Sequence, residues 1–339
     1  MIITLTPNPS LDRTYAAETI HLGGINRAHA TRVDAGGKGL NVTRALTAAG
    51  TASVAIFPAG GPDGAQMIAE LAASHVPAHP VPVDSDTRSN VTLVDAAGTT
   101  TKINAPGDTL SSHDVSELLD ALRDEVAQAT AAGHSPVVVG AGSLPAGLDD
   151  DFYGHVAEVC TGLGARVVLD TSGAPLARAV ETGGLELIKP NDEELAELTG
   201  RELVTVGDVV DAATQVIDRG TRSVLVSLGA HGLLLVRRDH ADAAPGDVRT
   251  WWAGGDALVP RSTVGAGDCT LAGYLSVATQ EGDRRHGVGS PLLALQHAAA
   301  WGRAAVLLPG SAVPTPNDLH LDEVRTLTDP PRRIALKEL

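Results

Sequence analysis

The chain is short of cysteine, aromatic residues and basic residues, and each shortage excludes a class of protein or site. It has two cysteines, Cys160 and Cys269, and an aromatic content of 2% in 339 residues. Two isolated cysteines can form neither a disulfide framework nor a cysteine-based zinc site. We therefore expect a reducing, cytoplasmic location for the protein.

The charge balance is strongly acidic. The sequence contains 25 lysines and arginines against 41 aspartates and glutamates, which gives a net charge of −16. A surface of this sign repels phosphate backbones, so we expect no nucleic-acid partner. No hydrophobic run is long enough to cross a bilayer, and we expect no membrane partner either. The first residues predict a strand and not a signal peptide, because no basic segment precedes them.

What the chain does have is an alternation of apolar segments with helical patterns. Its hydrophobic content of 43% is enough for a full core. Nearly continuous apolar strands separated by helices are typical of a mostly parallel sheet covered on both faces. The sequence therefore predicts an α/β fold. The clearest strand candidates are residues 54–57, 137–139, 167–169, 185–188 and 224–226.

Two segments, about 12–34 and 88–104, interrupt this alternation. In the second, threonine-rich runs flank the turn at Ala96–Gly98, which predicts a β-hairpin. We interpret both segments as a small sheet over the main one, serving as a lid or a dimer contact; an ordinary edge hairpin is the alternative. We expect one domain over residues 1–313 that carries these segments, and a polar C-terminal surface appendage over 314–339.

The most informative stretch is the glycine-rich turn at residues 261–268 (RSTVGAGD), which leads into an apolar helical pattern. Backbone N–H groups at a helix start lack partners, and such a turn attracts anions, phosphate above all. Asp268 lies in this turn, where a carboxylate could take the proton of a hydroxyl that attacks a phosphoryl group. An aspartate that only caps the helix is the alternative, and these residues alone leave both open.

Other polar loops follow candidate strands or lead into helices. Residues 34–41 (DAGGKGLN) form a second glycine-rich turn, which offers Lys38 and Asn41 but lacks the spacing of a Walker A loop. Residues 189–194 (KPNDEE) follow a buried strand, at the edge where open α/β sheets bind ligands. In this run Asn191 and Glu194 fit a helix-capping box well, and a magnesium-water site is the functional alternative.

Together, these loops resemble those of the ribokinase-like (PfkB) carbohydrate kinases, over nearly the whole chain as far as the region of Gly310. The resemblance is strongest to the branch of 1-phosphofructokinases, tagatose-6-phosphate kinases and minor 6-phosphofructokinases. It implies a ribokinase-like three-layer α/β/α fold with a mostly parallel central sheet and a small β-sheet lid. The loops that carry it are residues 6–12 (TPNPSLD), 36–41 (GGKGLN), 142–145 (GSLP), 189–194 (KPNDEE), 227–232 (SLGAHG) and 264–268 (VGAGD).

The resemblance implies a role for each matching residue. Asp268 would be the catalytic base, with an anion hole formed by Gly265, Ala266 and Gly267. The sugar would be bound by Asp12, Gly37, Lys38 and Asn41, and its existing phosphate by Arg88 with Asn90 and Ser143 nearby. The ATP site would be lined by Lys189, Asn191, Ser227, Gly229 and Gly232, with Glu194 in a magnesium-water network.

Three departures from the family pattern are informative. The pair Ser262–Thr263 replaces the Asp-Thr pair of many members, which favours the 1-phosphofructokinase branch. Thr92 stands where relatives often have lysine, and Lys102 stands where they often have glutamate. A short hairpin loop would place these two residues opposite each other, so we hypothesise that Lys102 supplies the missing cation to the substrate.

The implied activity is the ATP-dependent phosphorylation of a ketose phosphate, with D-fructose 1-phosphate as the leading substrate. A kinase of fructose 6-phosphate or tagatose 6-phosphate is the nearest alternative, and a non-catalytic sugar-phosphate sensor is a remote one. Relatives further imply ATP with Mg²⁺, a monovalent cation such as K⁺ near Ser262 and Val264, and a homodimer formed through the lid.

Overall fold

The computed structural model describes residues 1–238, 244, 246–279 and 290–339. No helix among them is both long and apolar enough to span a membrane. The strands are β1 (Ile2–Leu5), β2 (Ser10–Ala16), β3 (Ala30–Gly36), β4 (Ser53–Ala59), β5 (Ala78–Pro82), β6 (Arg88–Val94), β7 (Thr100–Ile103), β8 (Val137–Ala141), β9 (Arg166–Asp170), β10 (Leu187–Ile188), β11 (Ser223–Ser227), β12 (Leu233–Arg237), β13 (Arg249–Gly254) and β14 (Arg325–Thr328).

Helices fill most of the connections between these strands. Their starts follow the capping rules where polar residues allow it, as at Ser111 and Thr205, whose side chains each accept a hydrogen bond in a capping box. The helices are α1 (Lys38–Ala48), α2 (Gly61–Ala73), α3 (Ser112–Ala131), α4 (Phe152–Gly162), α5 (Gly173–Thr182), α6 (Asp192–Thr199), α7 (Val206–Ile217), α8 (Ala266–Ala278) and α9 (Pro291–Val306).

The main sheet has ten strands in the order β14-β13-β12-β11-β10-β9-β8-β1-β4-β5. From β5 to β11 every pairing is parallel, and β12, β13 and β14 add antiparallel strands at one edge. Four of the five predicted apolar runs lie wholly in strands of this sheet, and of residues 185–188 only Leu187 and Ile188 do, as β10. Strands β4 and β8 are buried along their whole length. Parallel strands with helices on both faces require this continuous burial.

Two hydrophobic cores lie on opposite faces of the sheet and complete three layers. One core includes Leu118, Val156 and Val209 from α3, α4 and α7. The other includes Leu46 from α1 and Leu271 from α8, packed with residues of α9. The expected α/β/α architecture is therefore confirmed.

The segments that interrupt the alternation form a separate four-stranded sheet in the order β3-β2-β6-β7. The predicted hairpin is present as β6 and β7, and its turn is closed by Asp95, whose carboxylate accepts from the N–H of Thr99 at 2.8 Å. Thr92 and Lys102 are cross-strand partners, as the sequence predicted. The small lid sheet is thus confirmed.

The C-terminal stretch lies at one edge of the main sheet and extends it. Strand β14 pairs with β13, with Trp252 opposite Leu327, and the side chain of Leu336 is buried in the core. These contacts integrate residues 325–336 with the main sheet. The polar, proline-containing sequence of this stretch did not suggest such packing. The division at residue 313 into a domain and an appendage stays a prediction.

Candidate active site

The glycine-rich turn opens helix α8 at the centre of the site. Gly265 precedes the helix with a φ of 75°, a left-handed conformation that favours glycine. The N–H of Ala266 donates to Thr263 O at 3.4 Å, whereas those of Gly265 and Gly267 have no recorded acceptor among the described residues. Two of the three expected anion-hole groups are therefore open to a ligand.

Asp268 is buried in the first turn of α8, and its side chain lines a cavity. Its Oδ2 accepts a hydrogen bond from Asn41 Nδ2 of helix α1 at 2.8 Å. Burial, and then the negative charge of Asp170, raise the pKa of Asp268 to about 6, against the lowering effects of Asn41, Lys38 and Lys189. A carboxylate with this pKa is ionised at neutral pH and can still accept a proton readily.

Asp170, at the end of β9, holds two lysines across the site and was missed by the sequence analysis. The Lys38 Nζ lies 2.8 Å from its Oδ1, and the Lys189 Nζ lies 3.0 Å from its Oδ2. The carboxylate is almost fully buried, which by itself raises its pKa, but Lys189 and Lys38 together hold that pKa below its usual value. Asp170 is therefore ionised at neutral pH and fixes both ammonium groups.

The lid supplies a third carboxylate, Asp12, which is partly buried. Its Oδ1 accepts from Ser10 Oγ at 2.7 Å and from Asn90 Nδ2 at 3.0 Å. Burial is the main reason that the pKa of Asp12 is raised. A Cβ at Gly36 would lie 2.3 Å from Asp12 Oδ2, so a side chain at that position would displace the carboxylate.

Arg88 and Ser143 are tied to neighbouring loops. Arg88 donates to three backbone carbonyls, those of Ala105 at 2.8 Å, Asn8 at 2.9 Å and Pro9 at 3.3 Å. The hydroxyl of Ser143 accepts from Asn8 Nδ2 at 3.3 Å. The guanidinium is thereby held in place at the cavity wall with part of its donor set already used.

A cavity of about 480 Å³ lies between the lid sheet and the carboxyl edge of the main sheet. Its size fits a small polar ligand. The sequence contains four lysines, and all but Lys337 line this cavity. The predicted site residues that it brings together are Asp12, Gly37, Lys38, Asn41, Arg88, Asn90, Lys102, Ser143, Lys189, Gly265, Gly267 and Asp268.

The remaining predicted residues do not line the cavity: Ala266 is the first residue of α8, and the others lie near the ends of strands β10 and β11. Asn191 and Glu194 form the capping box of α6, and Asn191 also bridges to Ser227. Gly229 and Gly232 bound the short turn after β11, where a Cβ on Gly232 would lie 2.4 Å from Ala253 O. The structure therefore gives Asn191 its structural role and leaves its ligand role a prediction.

Comparison with known proteins assigns this arrangement to a family. The model of the "pfkB family carbohydrate kinase" matches residues 8–318, which span the lid, the cavity and the turn at Asp268. The chain belongs to the pfkB family of carbohydrate kinases. It is accordingly a phosphotransferase whose acceptor is an alcohol group of a sugar.

Similar proteins carry two different names. The chain is 34% identical to the ATP-dependent 6-phosphofructokinase isozyme 2 of Mycobacterium tuberculosis over 94% of its own length and 88% of that protein. It is 36% identical to the 1-phosphofructokinase of Xanthomonas campestris, with 80% and 82% of the two chains covered. A crystal structure of Escherichia coli phosphofructokinase-2 in complex with potassium superposes with a TM-score of 0.81 at 30% identity, covering 94% of this chain and 96% of that one.

The electrostatics of the site distinguishes its two most deeply buried carboxylates, Asp170 and Asp268. Phosphoryl transfer depends on positioning and charge neutralisation more than on covalent chemistry. Asp170 stays charged and holds the lysines, whereas Asp268 has the raised pKa of a proton acceptor. Two neighbouring acids whose pKa values are displaced in opposite directions are a common basis for acid–base assignments.

We predict that Asp268→Asn lowers kcat by about two to four orders of magnitude, because the variant cannot take a proton from the acceptor hydroxyl. In the unchanged enzyme, kcat/KM should fall about tenfold per pH unit below the Asp268 pKa of about 6. Steady-state kinetics between pH 5 and pH 8, checked against buffer and stability effects, measure both quantities. A fully active variant, or a profile that is flat through this range, would contradict the assignment.

The same substitution should not destabilise the fold. The pKa of Asp268 is higher in the folded protein than its ordinary value of 3.8, so stability falls as pH rises through the interval between 3.8 and about 6. At pH 7 the native enzyme bears the full cost of a buried, ionised carboxylate. The thermal midpoint of Asp268→Asn at pH 7 should therefore equal or exceed that of the unchanged protein, and a lower one would mean that lost activity reflects unfolding.

Proposed function

We propose that the protein catalyses the ATP-dependent phosphorylation of a ketose phosphate, with D-fructose 1-phosphate as the leading substrate and fructose 1,6-bisphosphate as the product. The observation that carries this proposal is the buried Asp268 at the open N–H groups of α8, facing a cavity lined by three lysines. This combination suits a substrate that carries a phosphate of its own and receives a second one.

In the proposed reaction, Asp268 accepts the proton of the free primary hydroxyl of the sugar. The resulting oxygen attacks the γ-phosphorus of ATP in line, a new P–O bond forms, and the bond to the β–γ bridging oxygen breaks to release ADP. The N–H groups of Gly265 and Gly267 stabilise the charge on the transferred group. The Lys189 Nζ lies against the same turn, since a Cβ on Gly267 would be only 3.3 Å from it.

The nucleotide is proposed to lie along the ends of β10 and β11, where Lys189, Asn191, Ser227, Gly229 and Gly232 follow the strands. Residues at the carboxyl ends of parallel strands lie on one edge of the sheet, which is where ligands bind in open α/β folds. Lys189 connects the proposed nucleotide site with the sugar cavity, because it belongs to the loop after β10 and also lines the cavity.

Glu194 fits the role of a water-mediated magnesium ligand. One of its oxygens, Oε2, accepts from the N–H of Asn191 at 2.9 Å, and the carboxylate acts on the charge of Lys38 in the cavity. The second oxygen is uncommitted in the described structure, and carboxylate with water is the ligand set that Mg²⁺ favours. When bound with ATP, the ion would neutralise phosphate charge.

A monovalent cation such as K⁺ is proposed near the turn. Within the described part of the chain, no recorded hydrogen bond reaches the carbonyl oxygens of Ser262 and Val264. Such free carbonyls are suitable ligands for a hard cation. Potassium bound to the related Escherichia coli enzyme is consistent with this.

Lys102 is proposed to contact the phosphate that the substrate already carries. It projects from β7 on the same face of the lid as Asp12 and Asn90, and it lines the cavity. No described acidic residue forms an ion pair with it, in contrast to Lys38 and Lys189. A free ammonium group at the wall of the cavity that Arg88 also lines suits a mobile anionic ligand.

The nearest alternative is a kinase of fructose 6-phosphate or tagatose 6-phosphate. Relatives named 6-phosphofructokinase and 1-phosphofructokinase are equally similar, so their names do not separate the substrates. A sensor without catalysis is the remote alternative, and the intact turn with Asp268 weighs against it. A cytoplasmic location is proposed on the ground that sugar phosphates and ATP are cytoplasmic metabolites.

We predict that a coupled ADP-release assay over a panel of ketose phosphates gives the highest kcat/KM with D-fructose 1-phosphate. Fructose 6-phosphate and tagatose 6-phosphate are the competing substrates, and Asp268→Asn is the negative control. A preference for either 6-phosphate would favour the alternative kinase. Binding of a sugar phosphate without turnover, measured by calorimetry, would favour the sensor.

We predict that Lys102→Ala raises the KM for the sugar phosphate about tenfold and changes kcat little, because a charge-assisted contact present in both bound states is removed. The matched control is Lys337→Ala, an exposed lysine in the C-terminal stretch. The KM for ATP should be unchanged in both variants. An unaltered sugar-phosphate KM in Lys102→Ala would refute the proposed contact.

We propose that the protein forms a homodimer through the lid, because exposed apolar side chains lie on the outer face of the lid sheet. Tyr15 and Ile103 lie on the face opposite Asp12 and are 36% and 60% exposed, and Leu22 and Ile25 between β2 and β3 are 98% and 84% exposed. Apolar side chains grouped on one exposed face are typical of a protein interface. A second copy would cover them by placing lid against lid.

We predict that Ile103→Asp converts the protein from dimer to monomer, since a charge in an apolar interface is poorly tolerated. The molar mass in solution, measured by light scattering after size exclusion, gives the result directly. Leu163→Asp, an exposed leucine at the end of α4, should leave the mass unchanged. A native protein that is already monomeric would refute the interface.

A further inference from the structure

The side chain of Asn41 connects the catalytic carboxylate to an arginine that has no assigned role. Asn41 lies in α1 and is buried, and its Nδ2 donates to Asp268 Oδ2 at 2.8 Å. Its other end, Oδ1, accepts from Arg44 Nη1 at 3.2 Å, one turn further along the same helix. The amide is therefore held from both ends in a chain that runs Arg44–Asn41–Asp268.

The chemistry of the two end groups fixes the orientation of the amide. A guanidinium can only donate hydrogen bonds, so it must face Oδ1, and an ionised carboxylate can only accept them, so it must face Nδ2. An asparagine without the arginine can rotate its amide and present either end. With Oδ1 turned toward Asp268, two acceptors would face each other in a buried place.

We propose that Arg44 is a positioning residue for the phosphoryl-transfer reaction, which keeps the Asn41 amide turned so that its N–H group points at Asp268. This inference rests on the proposed role of Asp268 as the base. In this arrangement Oδ2 is occupied by Asn41, and Asp268 keeps its other oxygen for the acceptor hydroxyl. The arginine thus determines which oxygen takes the proton, although it does not line the cavity itself.

The charges around both ends of this chain are consistent with such a role. Around Asp268 they are Asp170, Lys38 and Lys189. The titratable groups around Arg44 are Asp34, Arg32, Cys269 and Asp12. Burial lowers the pKa of Arg44, but a guanidinium stays charged at physiological pH. The Cys269 thiol stays protonated, because burial raises its pKa to about 12. Of the neighbours of Arg44, Asp34 is itself engaged by Arg32, whose Nε lies 2.6 Å from its Oδ2.

The first test replaces the arginine with Met and with Lys. Arg44→Met should lower kcat about tenfold and move the acid limb of the kcat/KM profile to higher pH by about half a unit, because Asp268 loses a reliably oriented donor. Arg44→Lys keeps a cationic donor for Oδ1 and should restore most of both properties. An unshifted acid limb in Arg44→Met, or a lysine variant no better than methionine, would overturn the proposal.

The second test is a double-mutant cycle with Asn41→Ala. If Arg44 acts through Asn41, then Arg44→Met should have little further effect on the acid limb once Asn41 is alanine. Equal effects in both backgrounds would show that Arg44 acts by another route, and the proposal would be wrong. The matched control is Arg123→Met, an exposed arginine of α3 paired with Asp120, which should change neither kcat nor the profile.

Failure of this inference is distinguishable from failure of the proposed function. If Asp268→Asn is inactive and Arg44→Met has the pH profile of the unchanged enzyme, Asp268 remains the proposed base and the positioning role of Arg44 is refuted. A fully active Asp268→Asn would reject the base itself. Thermal midpoints of all variants, measured at each pH of the profile, show whether a loss of kcat or a shifted acid limb comes from unfolding.

Discussion

The structure depends on one electrostatic arrangement, in which two buried carboxylates share a pair of lysines. Asp170 contacts Lys38 and Lys189 directly, and its pKa stays low although burial alone would raise it. Asp268 lies in the same field without such contacts, and burial raises its pKa to about 6. Breaking the Asp170 contacts would leave either an unpaired buried anion or two unpaired cations, and each is costly. The proposed role of Asp268 as proton acceptor therefore depends on Asp170, which holds the two lysines in place and whose charge helps to raise the pKa of Asp268.

The fold builds this arrangement from distant parts of the chain. Lys38 opens α1, Asp170 ends β9, Lys189 follows β10, and Asp268 opens α8. Strands β9 and β10 are parallel neighbours, so their carboxyl ends deliver side chains to one edge of the sheet. Helices α1 and α8 pack on the same face and direct their N-termini to that edge. Because these elements pack into the core along most of their length, they hold the side chains more rigidly than flexible loops would.

The sequence predicted what depends on local pattern and missed what depends on distant partners. Strands, the lid hairpin and the Thr92–Lys102 pairing follow from periodicity and turn length, and each is present. Asp170 was missed because a charged residue at the end of an apolar run resembles an ordinary strand end; its position at the carboxyl edge of a buried strand was the available signal. The three carbonyls that accept hydrogen bonds from Arg88 belong to two other loops, and contacts between distant loops cannot be predicted from local sequence patterns.

The chain has few lysines, and most of them are concentrated in the site. A chain of net charge −16 repels ATP and a sugar phosphate at long range, yet three of its four lysines line one cavity. In physiological salt, charges more than about 8–10 Å away are largely screened, so a bound phosphate responds mainly to the local groups. Within that range, cations from both the lid and the main sheet face the ligand. The acidic surface then reduces the rate of encounter more than the affinity, because affinity is set where the few lysines are concentrated.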